Sequence, residues 1–253
     1  MKDRALGNLV MITFIRSSGL SHHDYLKYKC HQTKLLLPIG DTLAKQIHFW
    51  GSNGLIKTSY DGLLPEEFKS TYSATSRRPR KILVIGTPNP EKGWADVYQA
   101  VSELDQLQQL PPECQFYFTG EIPQEHQNSW RLSGIGRLNG LSEAFNQFDA
   151  VINPSRRESF GMATMEAVAT GIPIISSNTG VARDIISDKN QIFTPGNIEE
   201  LRQAILHLIQ NYSTCHNVAK LAKDRLLRKF PASRQASELC DALSLLKSIP
   251  MHK

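Results

Sequence analysis

Two carboxylates, Glu158 and Glu166, stand on either side of a Phe160-Gly161 pair within the run Asn153 to Ala167. A short apolar stretch, Phe148 to Ile152, leads into Pro154, and an apolar helical stretch, Ala163 to Ala169, follows until Gly171 and Pro173 stop it. The pattern reads as strand, tight loop, helix, with one acid in the loop and one on the helix. A helix start leaves backbone N–H groups unpaired and carries partial positive charge. That makes it a ready seat for phosphate or for sugar hydroxyls. Gly161 lets a ligand approach the backbone with no Cβ in the way. Ser159, Phe160, Met162 and Ala163 surround that glycine at the proposed seat. Glu158 would project from the loop and accept hydrogen bonds from sugar hydroxyls. Glu166, about one turn into the helix, could hold a second hydroxyl pair such as a ribose. Each carboxylate oxygen can accept one hydroxyl proton, which suits vicinal diols. The plain alternative is two solvated acids beside an ordinary strand–helix turn.

The elements that position these residues alternate regularly. Strands are expected at 81–86, 115–119, 148–153, 172–177 and 191–194, and helices near 94–109, 142–147, 162–170, 181–187 and 197–210. Alternation of this kind implies an α/β fold, a Rossmann-like parallel sheet with helices on both faces. Ligands then bind at the carboxyl ends of strands. Gly86 to Gly93 and Pro154 to Gly161 both lie there. Before this region, strands are expected at 9–15, 34–39 and 55–60, with helices at 21–32 and 41–50. The polar stretch 70–80 reads as a linker. The tail from Asn217 to Ser248 is helical in pattern, interrupted at Pro231.

Composition sets bounds. The chain has 253 residues, 40% hydrophobic and 21% charged, as ordinary globular proteins do. No apolar run is long enough to span a bilayer. The apolar start, Leu9 to Ile15, reads as a buried strand and not as a signal peptide. Cys30, Cys114, Cys215 and Cys240 form no Cys-x-x-Cys pair, so neither zinc nor a redox pair is indicated. Reduced thiols point to the cytoplasm. The net charge of +5 is modest, with basic clusters at 77–81 and 223–229. The basic residues are not interleaved with aromatics, so nucleic acid is not the expected partner. A phosphorylated ligand, an anionic membrane face and a solvated surface all account for them. No P-loop, Gly-x-Ser-x-Gly elbow or Asp-x-Asp metal motif occurs. Gly134-Ile135-Gly136-Arg137-Leu138-Asn139-Gly140 has the wrong third position for a dinucleotide loop and no convincing strand before it, and a loop beside a nucleotide base is the better reading. His22 and His23, beside Asp24, read as a polar turn and not as a metal pair.

The central block resembles glycosyltransferase family 4, of the GT-B architecture. The resemblance rests on Pro154-Ser155, Glu158, Glu166-Ala167 and Gly171-Ile172-Pro173 before Ile174-Ile175-Ser176-Ser177. It extends outward through Lys81 to Gly86 with Glu91-Lys92-Gly93, Phe116 to Gly120, Asn178-Thr179-Gly180 with Arg183 to Ile186, and Phe193 to Asn197 with Glu199-Glu200-Leu201. It covers roughly residues 35 to 245.

The resemblance implies a retaining, metal-independent glycosyltransferase with a nucleotide-sugar donor, a glycan or lipid-linked saccharide as acceptor, and no cofactor. Residues 81–229 would form the donor domain, 1–69 a shortened N-terminal acceptor-side α/β domain, and 230–253 a terminal helix packing back on the N-terminal part. Glu158 and Lys92 would be the catalytic pair, with Lys92 offsetting diphosphate charge. Donor contacts would come from Gly86, Thr87, Lys92, Glu158, Ser159, Phe160, Gly161, Met162, Ala163 and Glu166. A peripheral position at the inner membrane face follows from the resemblance and the basic balance. Thr87 departs from the family, which places an arginine there. Either Arg183, Arg156 or Arg157 substitutes, or phosphate is held more weakly. The short N-terminal part fits a truncated frame, a second subunit that completes the cleft, or a small acceptor domain. A nucleotide-sugar-binding subunit without turnover is the alternative function, and a GT-B epimerase a third.

Overall fold

The computed structural model describes residues 12–15, 22–27, 33–52, 54–64, 72, 78–138 and 144–247. The chain forms two compact units, Met1–Gly62 with Ala232–Lys253, and Leu63–Pro231.

The first unit holds a parallel sheet of β1 (Ile12–Ile15), β2 (Leu35–Pro38) and β3 (Leu55–Ile56), in the order β1-β2-β3. The run Leu35-Leu36-Leu37 is buried on both sides of the pleat, as a central parallel strand should be. Helices α1 (His22–Lys27) and α2 (Gly40–Phe49) belong to it. So does the last helix of the chain, which packs Ala242 and Leu239 against Leu35, Leu37 and Leu55. Tyr60 and Gly62 donate backbone N–H groups to Glu238 and Gln235 of that helix, at 3.2 and 3.3 Å.

The second unit is a six-stranded, all-parallel sheet in the order β6-β5-β4-β7-β8-β9. Its elements are β4 (Lys81–Val84), α3 (Trp94–Gln106), β5 (Gln115–Phe118), β6 (Leu132–Gly134), β7 (Ala150–Asn153), α4 (Met162–Thr170), β8 (Ile174–Ser177), α5 (Ala182–Ile185), β9 (Ile192–Phe193), α6 (Ile198–Gln210) and α7 (Tyr212–Lys229). The final helix, α8 (Ala232–Lys247), is the one assigned to the first unit. Strands β4 and β7 are apolar and buried on both faces, from Ile82 to Val84 and from Ala150 to Ile152. Each fully buried aliphatic side chain contributes about 1.5–3 kcal/mol. Phe116 and Phe118 of β5 and Leu201, Ile205 and Leu208 of α6 complete the same core.

The strand order carries a consequence. From β4 the chain moves outward to β5 and β6, then returns to the other side of β4 and moves outward again through β7, β8 and β9. The switch point lies between β4 and β7, which pair from Ile82–Ala150 to Val84–Ile152. Loops leaving a switch point in opposite directions open a crevice at the strands' carboxyl ends.

The sequence expectations differ from this structure in a few places. Strand β6 was not expected; its three residues, Leu-Ser-Gly, sit at the sheet edge and are too short and polar for a periodic signal. It corrects the reading that no strand precedes Gly134-Ile135-Gly136. Helix α3 ends at Gln106, not 109, because Gln108 turns to φ 54° and Gln109 donates back to Leu104. Residues 9–11 of the expected strand 9–15, residues 21 and 28–32 of the expected helix 21–32, most of the linker 70–80, Asn139-Gly140 and the first two residues of the expected helix 142–147 lie outside the described residues. No described helix is long and apolar enough to cross a membrane. Cys114 and Cys215 are buried free thiols, and Cys240 is an exposed one.

Candidate functional site

Two loops leave the switch point, 85–93 after β4 and 154–161 after β7, and four contacts hold the second against the first and against the start of α3. The Arg156 N–H donates to the Glu91 carbonyl at 2.8 Å. The Arg156 guanidinium grips buried Asp96 of α3 through two hydrogen bonds, of 2.5 and 3.1 Å. Gly93 lies against the Pro154 carbonyl, so close that a Cβ at residue 93 would overlap it. Finally, Lys92 Nζ donates to Glu158 Oε1 at 2.7 Å.

Local sequence explains each placement. Asn89 caps a short turn over Pro90–Lys92, its side chain accepting the Glu91 N–H at 2.9 Å. Gly93 then adopts φ 66°, ends that turn and starts α3. The turn thereby presents Lys92 toward the second loop. On that side, Asn153 closes β7 by donating from Nδ2 to Thr164 Oγ1 at 2.6 Å and accepting from the Ser155 N–H. Ser177 donates to the Ser155 carbonyl at 2.5 Å, fixing the loop to β8. Gly161 begins α4 at φ 94°, a conformation few side chains accept, and Gly171 ends it at φ 82°.

The residues singled out from the sequence fall as follows. Lys92 and Glu158 form a half-buried ion pair. Gly86 is half-buried and Thr87 exposed, at the end of β4. Ser159, Met162, Ala163 and Glu166 are half-buried, on the loop and on the first turns of α4. The Phe160 side chain is buried edge-on against Phe230, at 5.4 Å between centroids, and its carbonyl accepts the Val181 N–H. What Phe160 could give a ligand is therefore a backbone group. His22 and His23 lie exposed on α1 of the first unit, where His22 stacks on Trp50.

Of the three arginines that could replace one at position 87, two are engaged with other groups and the third lies elsewhere. Arg156 is bound to Asp96, and Arg157 lies 3.8 Å from Glu91. Arg183 lines a different cleft, with Asn178, Thr194 and Arg225.

Sequence reasoning missed several supports. Asp96, Asn153, Thr164 and Ser177 hold the two loops without facing a ligand. Asp96 did carry a signal, being an acid on the buried face of an amphipathic helix, which requires a partner. Trp94 was missed as well. Its buried indole reaches beneath Gly86 and Gly120, and its Nε1 has no hydrogen-bond partner.

Together these groups can do one kind of chemistry. Unpaired amides at the start of α4 and a lysine stand beside a carboxylate, with a second carboxylate further along the helix. That set suits a ligand with both anionic oxygens and hydroxyl pairs.

Residues 66–225 match the profile of the family described as Glycosyl transferases group 1. Among curated proteins, the chain is 24% identical to the sulfoquinovosyl transferase SQD2 of Arabidopsis thaliana, over 76% of this chain and 38% of that protein. It is 26% identical to the 2-deoxystreptamine N-acetyl-D-glucosaminyltransferase of Niallia circulans, over 60% of this chain and 41% of that one. The chain thus spans about two-fifths of the length of these relatives. Among solved structures, sucrose-phosphate synthase from Thermosynechococcus elongatus superposes with a TM-score of 0.76 at 16% identity, covering 95% of this chain and 69% of that one. HepE of Anabaena, in complex with UDP and glucose, gives 0.75 at 16% identity, covering 92% and 71%. These superpositions show the same fold.

Proposed function

The chain belongs to the glycosyl transferases group 1 family, and on that premise we propose that it moves a sugar from a nucleotide-sugar donor to an acceptor hydroxyl of a glycan or lipid-linked saccharide. The reaction proceeds with retention and without a metal. The observation that carries this reading is the 2.7 Å pairing of Lys92 with Glu158 at the switch-point crevice, beside the start of α4.

The donor's diphosphate lies across the first amides of α4 and Lys92. There the helix start and the ammonium offset the negative charge that grows on the departing nucleoside diphosphate. Glu158 accepts hydroxyl protons of the transferred sugar and fixes its orientation. Glu166 accepts the ribose hydroxyls. The acceptor oxygen attacks the anomeric carbon on the face from which the phosphate leaves. A C–O bond to the acceptor forms as the bond to the phosphate oxygen breaks, and the leaving phosphate takes the acceptor's proton. The ion pair holds both side chains at the crevice beforehand, so less freedom is lost when the donor arrives. The loop after β6, Ile135 to Leu138, borders the nucleotide base.

Thr87 favours one second reading, a donor-binding subunit without turnover, because it supplies no charged fork to a phosphate. Incubation with labelled nucleotide-sugars separates the two: transfer or slow hydrolysis marks an enzyme, binding alone marks the subunit. Calorimetry of Glu166→Ala tests the site itself. The variant should bind the nucleotide-sugar more weakly by about 1–3 kcal/mol, the cost of a buried hydroxyl pair losing its acceptor. Equal binding by variant and parent would remove Glu166 from the site.

A further inference from the structure

Around the carboxyl end of β9 the second unit forms a cleft of about 760 Å3. Three cations line it: Arg183 from α5, Lys189 from the turn before β9, and Arg225 from α7. One carboxylate, Glu200, faces them, and it is already engaged. It accepts the Thr194 N–H at 2.5 Å and the Asn197 side-chain amide at 2.9 Å.

The neighbouring acids are turned elsewhere. Asp184, next to Arg183 in the chain, is 3.3 Å from Lys229. Asp188, next to Lys189, is 3.1 Å from His207. Three other arginines of this unit have carboxylates of their own: Arg131 has Asp105, Arg156 has Asp96, and Arg202 has Glu103 and Glu199. Among the described residues, Arg183, Lys189 and Arg225 have none.

Three uncompensated cations in one concave wall repel each other and focus a positive potential outward. Guanidinium forks match the oxygens of a phosphate. Asn178 and Ser187 add neutral donors beside them, and Phe193 and Ile186 provide an apolar floor. None of these residues belongs to the Lys92–Glu158 crevice.

We propose that this cleft is a second ligand site, which takes a phosphate ester, free in solution or as a lipid headgroup. It does not depend on the donor reading above and survives if that reading fails.

Two binding measurements on the full chain test it. Calorimetric titration with inorganic phosphate probes the free source. Co-sedimentation with vesicles of equal parts phosphatidylcholine and phosphatidic acid probes the headgroup. The Arg183→Gln/Arg225→Gln double variant should lose about tenfold or more in whichever binding the parent shows, as charge-assisted hydrogen bonds are removed. The same loss should appear when the double variant is made in the Lys92→Ala background, which removes any phosphate held at the donor crevice. If the double variant fails to fold, Lys189→Gln, at an exposed position, should give a smaller loss in the same direction. Binding of free phosphate alone identifies a soluble ester, and vesicle binding alone identifies a headgroup. Parent binding in neither arm, or equal binding by parent and the folded Arg183/Arg225 or Lys189 variant, overturns the proposal. Absence of the loss in the Lys92→Ala background does so too, because it assigns the phosphate to the donor crevice.

Discussion

Gly93 leaves no room for a side chain beneath the carbonyl of Pro154. This contact sets how close the loop after β4 comes to the loop after β7, and so places Lys92 within reach of Glu158. Gly93→Ala should therefore act twice. The left-handed backbone and the overlap with a rigid carbonyl should together cost about 2–4 kcal/mol of stability. The two loops should also part, weakening donor binding. Gly136→Ala is the control, since residue 136 has φ 71° but nothing within 4 Å of the added Cβ. It should cost only about 1 kcal/mol. Urea midpoints of the two variants measured side by side check this. Equal losses would mean that backbone strain alone acts at Gly93.

Arg156 and Arg157 are neighbours in sequence with unequal expected effects. Arg156 neutralises Asp96, which is 4% exposed, whereas Arg157 lies 3.8 Å from Glu91 with both side chains more than half exposed. Arg156→Ala leaves a carboxylate buried without its cation and should destabilise by about 1–3 kcal/mol. Arg157→Ala should change stability by no more than about 0.5 kcal/mol. A single denaturation series on both variants decides it, and a larger loss at Arg157 would refute the assignment.

These two cases mark what the sequence could and could not reveal. The bounds of α4 were legible, expected at 162–170 and found at Met162–Thr170, because glycines 161 and 171 adopt positive φ at both ends. The parallel sheet was legible from its buried apolar runs and their spacing. The strand order was not, nor therefore was the switch point that makes neighbours of the loops after β4 and β7. Lys92 and Glu158 were each visible as residues of the right type, but their pairing spans 66 positions, which no local pattern reports. The Asp96–Arg156 pair was hidden for the same reason, as were the cations of the second cleft, which come from three separate elements.

Stability should fall at alkaline pH. Burial raises the Tyr98 hydroxyl from 10.0 to about 12, with Glu125 adding to the effect. Burial likewise raises the thiols of Cys114 and Cys215 from 9.0 to about 12. Tyr72 and Tyr212 are also raised, chiefly by burial, and their hydroxyls lie 2.7 Å apart. Below about pH 7 all these groups are neutral in both folded and unfolded chains, and the unfolded thiols begin to ionise above that, the tyrosines at about pH 10. As the pH rises toward about 12 the unfolded chain releases protons that the folded chain retains, so stability declines across that window. Urea midpoints followed upward from neutral pH should show the decline. Tyr98→Phe should flatten it at little cost near neutrality, because the Tyr98 hydroxyl has no hydrogen-bond partner to lose. A midpoint independent of pH up to about 11 would contradict the burial of these groups.

Thr87→Arg should strengthen donor binding. Residue 87 is exposed, immediately after Gly86 at the end of β4. The three arginines that could have served in its place are committed to Asp96, near Glu91, or in the second cleft. Glu158, the carboxylate of the site, is already occupied by Lys92 at 2.7 Å. Charge-assisted hydrogen bonds to a phosphate contribute about 1.5–3 kcal/mol, which corresponds to an affinity gain of about tenfold or more. The measurement is calorimetry with the nucleoside diphosphate that a thermal-shift panel selects, comparing parent, Thr87→Arg and Thr87→Gln. The glutamine variant has length and hydrogen-bond donors without charge, so it should recover only a small part of the gain. Should arginine and glutamine bind equally to the parent, the diphosphate does not pass position 87, and the proposed placement across Lys92 and the start of α4 must be redrawn.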